Sequence, residues 1–182
     1  EAIKELEEER SKNGNFKDFD DFLTRVSSSV SNKKTLEALA CSGSFDSFNI
    51  RRENIFNECP DIIKHLKHFH ETNNSNQDDI FGETSKFEYK FSSKEKWSEE
   101  TKLMKEFEIL GFYLSGHPLN QFLNKVSKLD IKNYETIKLN KSFHNEKNVL
   151  LAGTLLSKKE KRSARGNAYA FLNFSDLSSI YE

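Results

Sequence analysis

The side chains best suited to chemistry form a basic cluster followed by aromatic residues near the end of the chain. Residues 138–166 contain eight Lys or Arg against Glu146 and Glu160. Basic side chains attract nucleic-acid phosphates, and aromatic rings stack on unpaired bases. The pattern predicts a surface for single-stranded nucleic acid made of Lys158, Lys159, Lys161, Arg162, Arg165, Tyr169 and Phe171. We expect one of the two aromatic residues to face the interior. The alternative is a solvated basic loop over apolar core strands.

No catalytic residues and no metal ligands are predicted. The chain has no Asp-x-Asp pair on a strand and no glycine-rich phosphate loop. His65 and His68 lie one helical turn apart, but no further ligand is arranged to complete a tetrahedral site, so we interpret them as solvated. Cys41 and Cys59 are interpreted as buried or half-buried thiols of a reducing compartment.

Composition indicates one sizeable domain or two small ones. The chain has 182 residues, a net charge of −1, 35% hydrophobic residues and 16 Phe. It has no apolar run long enough for a membrane helix and no signal-like start, which predicts a soluble, cytoplasmic protein with no membrane partner. The first residue is Glu and the last residues resemble an opened strand, so we expect a piece of a longer protein.

The first 71 residues are predicted to be helical. A charged helix is expected from Glu1 to about Ser11, and a second carries the apolar stripe Phe19, Phe22, Leu23 and Val26. Asn32 is expected to cap a third helix that ends at Ser42-Gly43. A fourth begins near Asn49, and Pro60 is expected in the first turn of a restarted helix.

The remaining chain changes from helix to strand. Residues 72–92 are predicted to be a polar linker, and residues 93–147 a helix with a connector. The capping spacing at Ser92 and the stripe Leu103, Phe107, Leu110 and Leu114 predict a helix that ends at Ser115-Gly116. A short helix is expected near 120–127. From Val149 onwards the sequence predicts a strand, a basic loop at 158–167 and an aromatic strand.

Four stretches resemble one known family. The nine residues from Leu110 to Pro118 read Leu-Gly-Phe-Tyr-Leu-Ser-Gly-His-Pro, which closely resembles a segment of the bacterial DNA polymerase III alpha subunit. Residues 10–26 and 32–47 resemble its helix-hairpin-helix motifs, and residues 149–176 resemble the start of its OB-fold domain. The resemblance implies an α+β chain: a partial tandem helix-hairpin-helix region at 1–71, the linker, the helix and connector, and a truncated antiparallel OB-fold β-barrel at 148–182.

The resemblance also implies two binding sites. Helix-hairpin-helix modules hold duplex DNA through backbone N–H groups and a helix N-terminus, which assigns Gly43 and Ser44 to DNA binding. Alternatively, Gly43 only caps a helix; the family usually has Lys-Ala-Gly-Ala where this chain has Cys-Ser-Gly-Ser. Within the linker, Gln77, Asp79, Ile80 and Phe81 resemble the pentapeptide that binds the bacterial sliding clamp. The alternative for those residues is plain linker.

The function implied is that of a non-catalytic C-terminal segment of a replicative DNA polymerase. It would bind duplex and single-stranded DNA, the sliding clamp and other replicative holoenzyme subunits. The parent enzyme catalyses nucleotidyl transfer with magnesium ions held by aspartates, and this segment needs no cofactor. The alternatives are a stand-alone OB-type single-stranded nucleic-acid-binding module on a helical scaffold, and a purely structural piece.

Overall fold

The computed structural model describes residues 2–74, 86–140 and 148–182. It divides into two compact units, Glu1–Phe112 and Tyr113–Glu182, which we call the helical unit and the sheet unit. The chain is α+β, as predicted. No helix in the described part of the chain is both long and apolar enough to cross a bilayer.

The described residues of the helical unit form five helices. They are α1 (Ala2–Asn13), α2 (Phe19–Arg25), α3 (Lys33–Cys41), α4 (Arg52–Asn74) and α5 (Glu99–Leu110), with a 3-10 turn at Asp46–Phe48. The predicted stripe on α2 is buried, and it packs on α3 and α4 through Leu36, Ile55 and Ile62. The cap at Asn32 is confirmed, because its side chain accepts a hydrogen bond from the Thr35 N–H at 3.0 Å.

Helix α5 differs from its prediction at both ends. Its N-cap is Ser98, which accepts a hydrogen bond from the Thr101 N–H at 3.1 Å, and not Ser92. At the other end, Gly111 has φ +77 and stops the helix one residue after Leu110. The glycine adopts the left-handed conformation that closes a helix, so the predicted stop at Ser115-Gly116 is wrong. Leu114 therefore leaves the stripe and is 65% exposed.

Pro60 lies inside α4 and does not restart a helix. Proline removes one N–H from the helical ladder, which normally costs stability. Cys59 and Ile62, one position before and two positions after it in α4, are fully buried in the core, while Pro60 is exposed. Packing of the apolar face therefore holds α4 as one continuous helix through the proline.

Residues 86–98 form an extended strap that packs along the helical unit. Phe87 is 3% exposed, and Tyr89 and Phe91 are partly buried against the same core. The carboxylate of Glu58 on α4 accepts hydrogen bonds from the Ser93 N–H at 2.6 Å and the Ser92 N–H at 2.9 Å. These bonds hold Ser92 in the strap, which explains why it does not begin α5. The predicted linker at 72–92 is thus replaced at both ends by packed structure: residues 72–74 belong to α4, and residues 86–92 to the strap.

Glu58 should make the stability of the helical unit depend on pH. Burial raises the pKa of Glu58. The hydrogen bonds donated by the N–H groups of Ser93 and Ser92 and by the Tyr89 hydroxyl lower it by a larger amount, so the net pKa lies below the ordinary 4.5. A carboxyl group with a depressed pKa stabilises the fold above its unfolded pKa and loses that contribution as pH falls through its folded value. At pH 7, Glu58→Gln should lower the free energy of unfolding by about 1–3 kcal/mol.

Urea unfolding of both proteins from pH 7 to pH 3 checks this expectation. The difference between wild type and Glu58→Gln should shrink below about pH 4.5 as the wild-type carboxyl group takes up its proton. A difference that stays constant with pH would contradict the assigned role of the charge.

The described residues of the sheet unit form short helices and two small sheets. It contains a 3-10 turn at Pro118–Phe122, α6 (Leu123–Val126), β1 (Ile131–Lys132), α7 (Tyr134–Leu139), β2 (Leu150–Leu151), β3 (Thr154–Arg162), β4 (Ala168–Ser175) and β5 (Ile180–Tyr181). Strand β1 pairs in parallel with β2, and β3, β4 and β5 form an antiparallel sheet in that order. The single strand predicted from Val149 is therefore two strands, β2 and β3, separated by Ala152 and Gly153.

Asp176 fastens the end of β4 to α7. Its carboxylate accepts hydrogen bonds from the N–H groups of Tyr134, Ser178 and Ser179 at 2.6, 2.7 and 2.8 Å. Burial raises the pKa of Asp176, but these donors and the Ser178 hydroxyl outweigh it, and the net pKa is lowered. The carboxylate therefore remains charged in the fold and fixes the turn between β4 and β5.

Candidate functional site

The hairpin at residues 42–48 is built as a helix C-cap. The Ser44 N–H donates to the Leu39 carbonyl at 3.0 Å, and the Gly43 N–H donates to the Ala40 carbonyl at 3.1 Å. With Gly43 at φ +79, these two bonds form a Schellman motif at the end of α3. Both N–H groups assigned to phosphate binding are thus engaged by α3, and the Ser44 hydroxyl lies 2.8 Å from the Ser42 hydroxyl. DNA contact at Gly43 and Ser44 stays a prediction.

A buried arginine supports this hairpin. The Arg52 guanidinium, 7% exposed, donates to Asp46 Oδ1 at 2.9 Å and Oδ2 at 2.6 Å. It also donates to Glu106 Oε2 at 2.9 Å and to the Cys41 carbonyl at 3.1 Å. One side chain therefore joins the end of α3, the 3-10 turn, the start of α4 and the middle of α5. We call Arg52, Asp46 and Glu106 the arginine network.

Charge and packing both hold the arginine network in place. The hydrogen bonds that Arg52 donates to the carboxylates of Asp46 and Glu106 raise its pKa above the ordinary value, and they outweigh the opposing effect of burial. A Cβ on Gly43 would lie 2.2 Å from Arg52 Nη2 and 2.9 Å from Asp46 Oδ2. Only a residue without a side chain leaves room there for the guanidinium and the carboxylate.

The second candidate site is one face of the β3–β4 ladder. Lys159 pairs with Phe171, and Lys161 with Tyr169. Cross-strand partners project to the same side of a sheet, so these four side chains share a face. The rings of Tyr169 and Phe171 meet edge to face with centroids 5.6 Å apart, and Lys161 Nζ lies 5.1 Å from the Phe171 ring centroid. We call these four residues the basic-aromatic face.

The residues of the predicted basic cluster are divided between the two sides of the sheet. Residues 158–162 belong to β3 and are not a loop, since the turn is confined to residues 163–167. Lys158 pairs with Leu172, and Arg162 with Ala168, so both lie on the opposite side from the basic-aromatic face. Arg165 lies in the turn itself, just before Gly166 at φ +81.

The expected division between Tyr169 and Phe171 is wrong. Residues two apart in a strand face the same side, because side chains alternate with a period of two. Tyr169 is 44% exposed and Phe171 is 37% exposed, and both lie on the basic-aromatic face. Two rings are therefore available for stacking where the sequence analysis expected one.

The arginine network was not predicted from the sequence, although the position of Glu106 carried a signal. Glu106 lies three residues after Leu103 and four before Leu110, so it occupies the buried side of α5 and is 0% exposed. A charged residue at a core position requires a partner of opposite charge. That requirement pointed to a buried arginine or lysine, but not to which one.

Among residues 2–74, 86–140 and 148–182, no group of three or more His, Cys, Asp or Glu could hold a metal ion. Cys41 and Cys59 are buried thiols, as predicted, and burial raises the pKa of Cys59 to about 11. The predicted clamp-binding residues Gln77, Asp79, Ile80 and Phe81 lie outside the described residues.

Sequence comparison connects these features to known proteins. Residues 1–55 match a family described as "Helix-hairpin-helix motif". The chain is 30% identical to the DNA polymerase III subunit alpha of Treponema pallidum over 93% of its length. The corresponding identities are 32% for Campylobacter jejuni over 100% of the chain and 32% for Rickettsia prowazekii over 96%. The chain belongs to the family of DNA polymerase III alpha subunits.

The alpha-subunit relatives are much longer than this chain, which spans 14% to 15% of their length. The helix-hairpin-helix match covers α1, α2, α3 and the hairpin at 42–48 and reaches the start of α4. In this chain, Asp46 and Arg52 of the arginine network lie at the end of the matched motif. Glu106 on α5 is its only member outside the matched residues.

Replacing Gly43 by alanine should disrupt the arginine network. The left-handed backbone costs an alanine about 1–2 kcal/mol, and the new Cβ must also displace the Arg52 guanidinium. We expect Gly43→Ala to lower the free energy of unfolding by more than about 2 kcal/mol in urea.

Gly14→Ala is the matched control. Gly14 belongs to the same unit and has φ +80, but a Cβ there meets nothing within 4 Å. It should show only the backbone cost, about 1–2 kcal/mol. Equal losses for the two variants would mean that the packing of Gly43 on Arg52 contributes nothing.

Proposed function

We propose that this chain is a non-catalytic DNA- and clamp-binding segment of a replicative DNA polymerase. The observation that carries the proposal is the basic-aromatic face, which places two lysines and two aromatic rings on one side of the β3–β4 ladder. Membership of the alpha-subunit family supports a role in DNA synthesis. The nucleotidyl transfer and its magnesium ions are assigned to the parent enzyme outside this chain.

The basic-aromatic face suits single-stranded DNA. Tyr169 and Phe171 offer rings to successive bases, and stacking of this kind does not depend on sequence. Lys159 and Lys161 flank the rings on the neighbouring strand, where each ammonium group can approach a phosphate. The polar pair Ser157 and Asn173, joined by a 3.0 Å hydrogen bond, lies on the same face, next to the pair Lys159 and Phe171. These features support an OB-like role for the sheet unit.

Neutralising the basic-aromatic face should weaken binding to single-stranded DNA. We expect Lys159→Gln with Lys161→Gln to reduce affinity for an oligothymidylate at least tenfold at low salt. Each lost phosphate contact should lower the slope of log K against log salt by about 0.7. Fluorescence anisotropy at several salt concentrations measures both quantities.

Lys158→Gln with Arg162→Gln provides a control with the same change in charge. These residues alternate with Lys159 and Lys161 along β3 but project to the other side of the sheet. The control should lose much less affinity, and its salt slope should stay near the wild-type value. If the two double variants lost the same affinity, binding would depend on the total positive charge of the strand and not on the basic-aromatic face.

The helical unit is assigned to duplex DNA. Its support is the helix-hairpin-helix match and the hairpin at 42–48. Because the N–H groups of Gly43 and Ser44 are used by α3, contact with phosphate falls to the serine hydroxyls of the hairpin. Such contacts would hold a duplex without reading its sequence.

The clamp-binding role rests on the pattern Gln77, Asp79, Ile80 and Phe81. A short peptide that buries two apolar side chains should bind at roughly micromolar strength. In a polymerase already on DNA, the high effective concentration of the tethered clamp would strengthen that contact and increase processivity. Other holoenzyme subunits would meet the parent enzyme in the same assembly.

Titration against a purified bacterial sliding clamp tests this role. The wild-type chain should bind with a dissociation constant near the micromolar range, and Ile80→Ala with Phe81→Ala should weaken binding at least tenfold. Ser75→Ala with Asn76→Ala changes the same segment outside the motif and should bind like the wild type. If the Ile80 and Phe81 substitutions left the affinity unchanged, the segment would be an ordinary linker.

A further inference from the structure

We propose that His117 forms a proton-sensitive bridge between the segment at residues 110–118 and the end of β4. Protonation of the imidazole breaks this bridge and weakens the binding of single-stranded DNA at the basic-aromatic face. The inference rests on the proposed binding of single-stranded DNA by that face. It gives a role to the nine-residue segment, which the proposed function leaves without one.

The bridge uses both nitrogens of the imidazole. The backbone N–H of Leu119 donates to His117 Nδ1 at 3.1 Å, and His117 Nε2 lies 3.1 Å from the Ser175 hydroxyl oxygen. A backbone N–H only donates, so Nδ1 carries a lone pair and the proton of the neutral ring is on Nε2. His117 therefore donates to Ser175, and it does not accept the hydroxyl proton as the base of a catalytic triad would.

Ser175 lies at the base of the two strands that carry the basic-aromatic face. It is 6% exposed, and it pairs with Thr154 on β3 and with Ile180 on β5. Strand β5 pairs only with residues 174 and 175 of β4, so residues 157–162 and 168–173 form a two-stranded ribbon in the described part of the chain. A two-stranded ribbon is marginally stable by itself. Its alignment therefore depends on what holds its base.

Protonation removes the acceptor on which the bridge depends. An imidazolium carries an N–H at both nitrogens, so Nδ1 would point a proton at the N–H of Leu119. The ring must then turn away from Leu119, and the same rotation moves Nε2 away from the Ser175 hydroxyl. The neutral ring holds the base of the ribbon, and the charged ring releases it.

Two titratable groups lie near the ring in the described part of the sheet unit. The Tyr113 ring meets it edge to face with centroids 5.1 Å apart, and burial raises the pKa of Tyr113, so its hydroxyl stays neutral. The other group is the carboxylate of Asp176. Burial lowers the pKa of His117, the charge of Asp176 raises it, and the net pKa lies below the ordinary 6.5. The bridge is therefore intact above pH 7 and is lost as the pH falls through this lowered value.

Fluorescence anisotropy with a labelled oligothymidylate tests the proposal at about pH 7.5 and about pH 5, at constant ionic strength. The wild-type chain should bind about three- to tenfold more weakly at the lower pH, the effect expected from losing one or two hydrogen bonds. Protonated histidines add positive charge, which by itself strengthens binding to phosphates. The bridge and general electrostatic attraction therefore predict opposite signs.

His117→Asn is the deciding variant. The asparagine Oδ1 keeps an acceptor for the N–H of Leu119, but the side chain does not titrate in this range and is too short to reach Ser175. At the higher pH it should bind about as weakly as the wild type does at the lower pH, and its affinity should not fall further. The control is His68→Asn, which removes an exposed imidazole from α4 and should keep the wild-type fall.

NMR of the wild-type chain tests the bridge without a variant and without DNA. The nitrogen chemical shifts of His117 should show a proton on Nε2 and none on Nδ1 at about pH 7.5. The amide signals of Leu119 and Ser175 should move together as the ring titrates. A proton on Nδ1 at the higher pH would overturn the bridge, whatever the variants do.

The outcomes separate this inference from the proposed function. If the wild-type chain showed no salt-dependent binding of single-stranded DNA at the higher pH, the proposed function would be overturned and the inference with it. Binding that stays constant or strengthens at the lower pH would overturn only the role of His117, as would a fall that His117→Asn shares. A fall seen in the wild type and His68→Asn, and absent from His117→Asn, would establish it.

Discussion

The helical unit depends on the burial of one guanidinium. Arg52 reaches the end of α3, the 3-10 turn and α5, and it satisfies a carboxylate that has no access to water. Removing one member of such a buried network is expected to cost about 3–5 kcal/mol, because the other charge is left unpaired. The hairpin at 42–48 takes its shape from this arrangement, and Gly43 is required because the guanidinium occupies the space of a side chain.

The two candidate sites use different physical means. In the helical unit, backbone hydrogen bonds and a buried ion network fix a short hairpin, so its properties are set mainly by groups beneath the surface. In the sheet unit, the register of β3 against β4 aligns lysines with aromatic rings. There the surface side chains themselves form the site, and a shift of one residue in register would send each of them to the other side of the sheet.

Local patterns predicted much of the helical unit. The stripe on α2 and the cap at Asn32 were confirmed, because both depend on residues a few positions apart in the chain. The start of α5 was missed because Ser92, though spaced for a cap, donates to Glu58, which lies 34 positions away in sequence. The apolar spacing predicted that α5 continues to Leu114, but Gly111 adopts the left-handed conformation and ends the helix before that residue. In the sheet unit, the sequence shows where the basic residues lie along the chain. It does not show which face of the sheet each one occupies, because that depends on its pairing partner in β4.

The strap changes where the helical unit can be cut. Composition places a boundary near residue 72, where α4 gives way to polar sequence, and a shortened protein for crystallisation or expression would naturally end there. Such a protein would lose Phe87 from its core and would leave the Glu58 carboxylate without the N–H donors of Ser92 and Ser93. It would also lack Glu106, the partner of Arg52 on α5. A version that keeps the partners of Glu58 and Arg52 must extend through α5, and residues 1–112 belong to one compact unit.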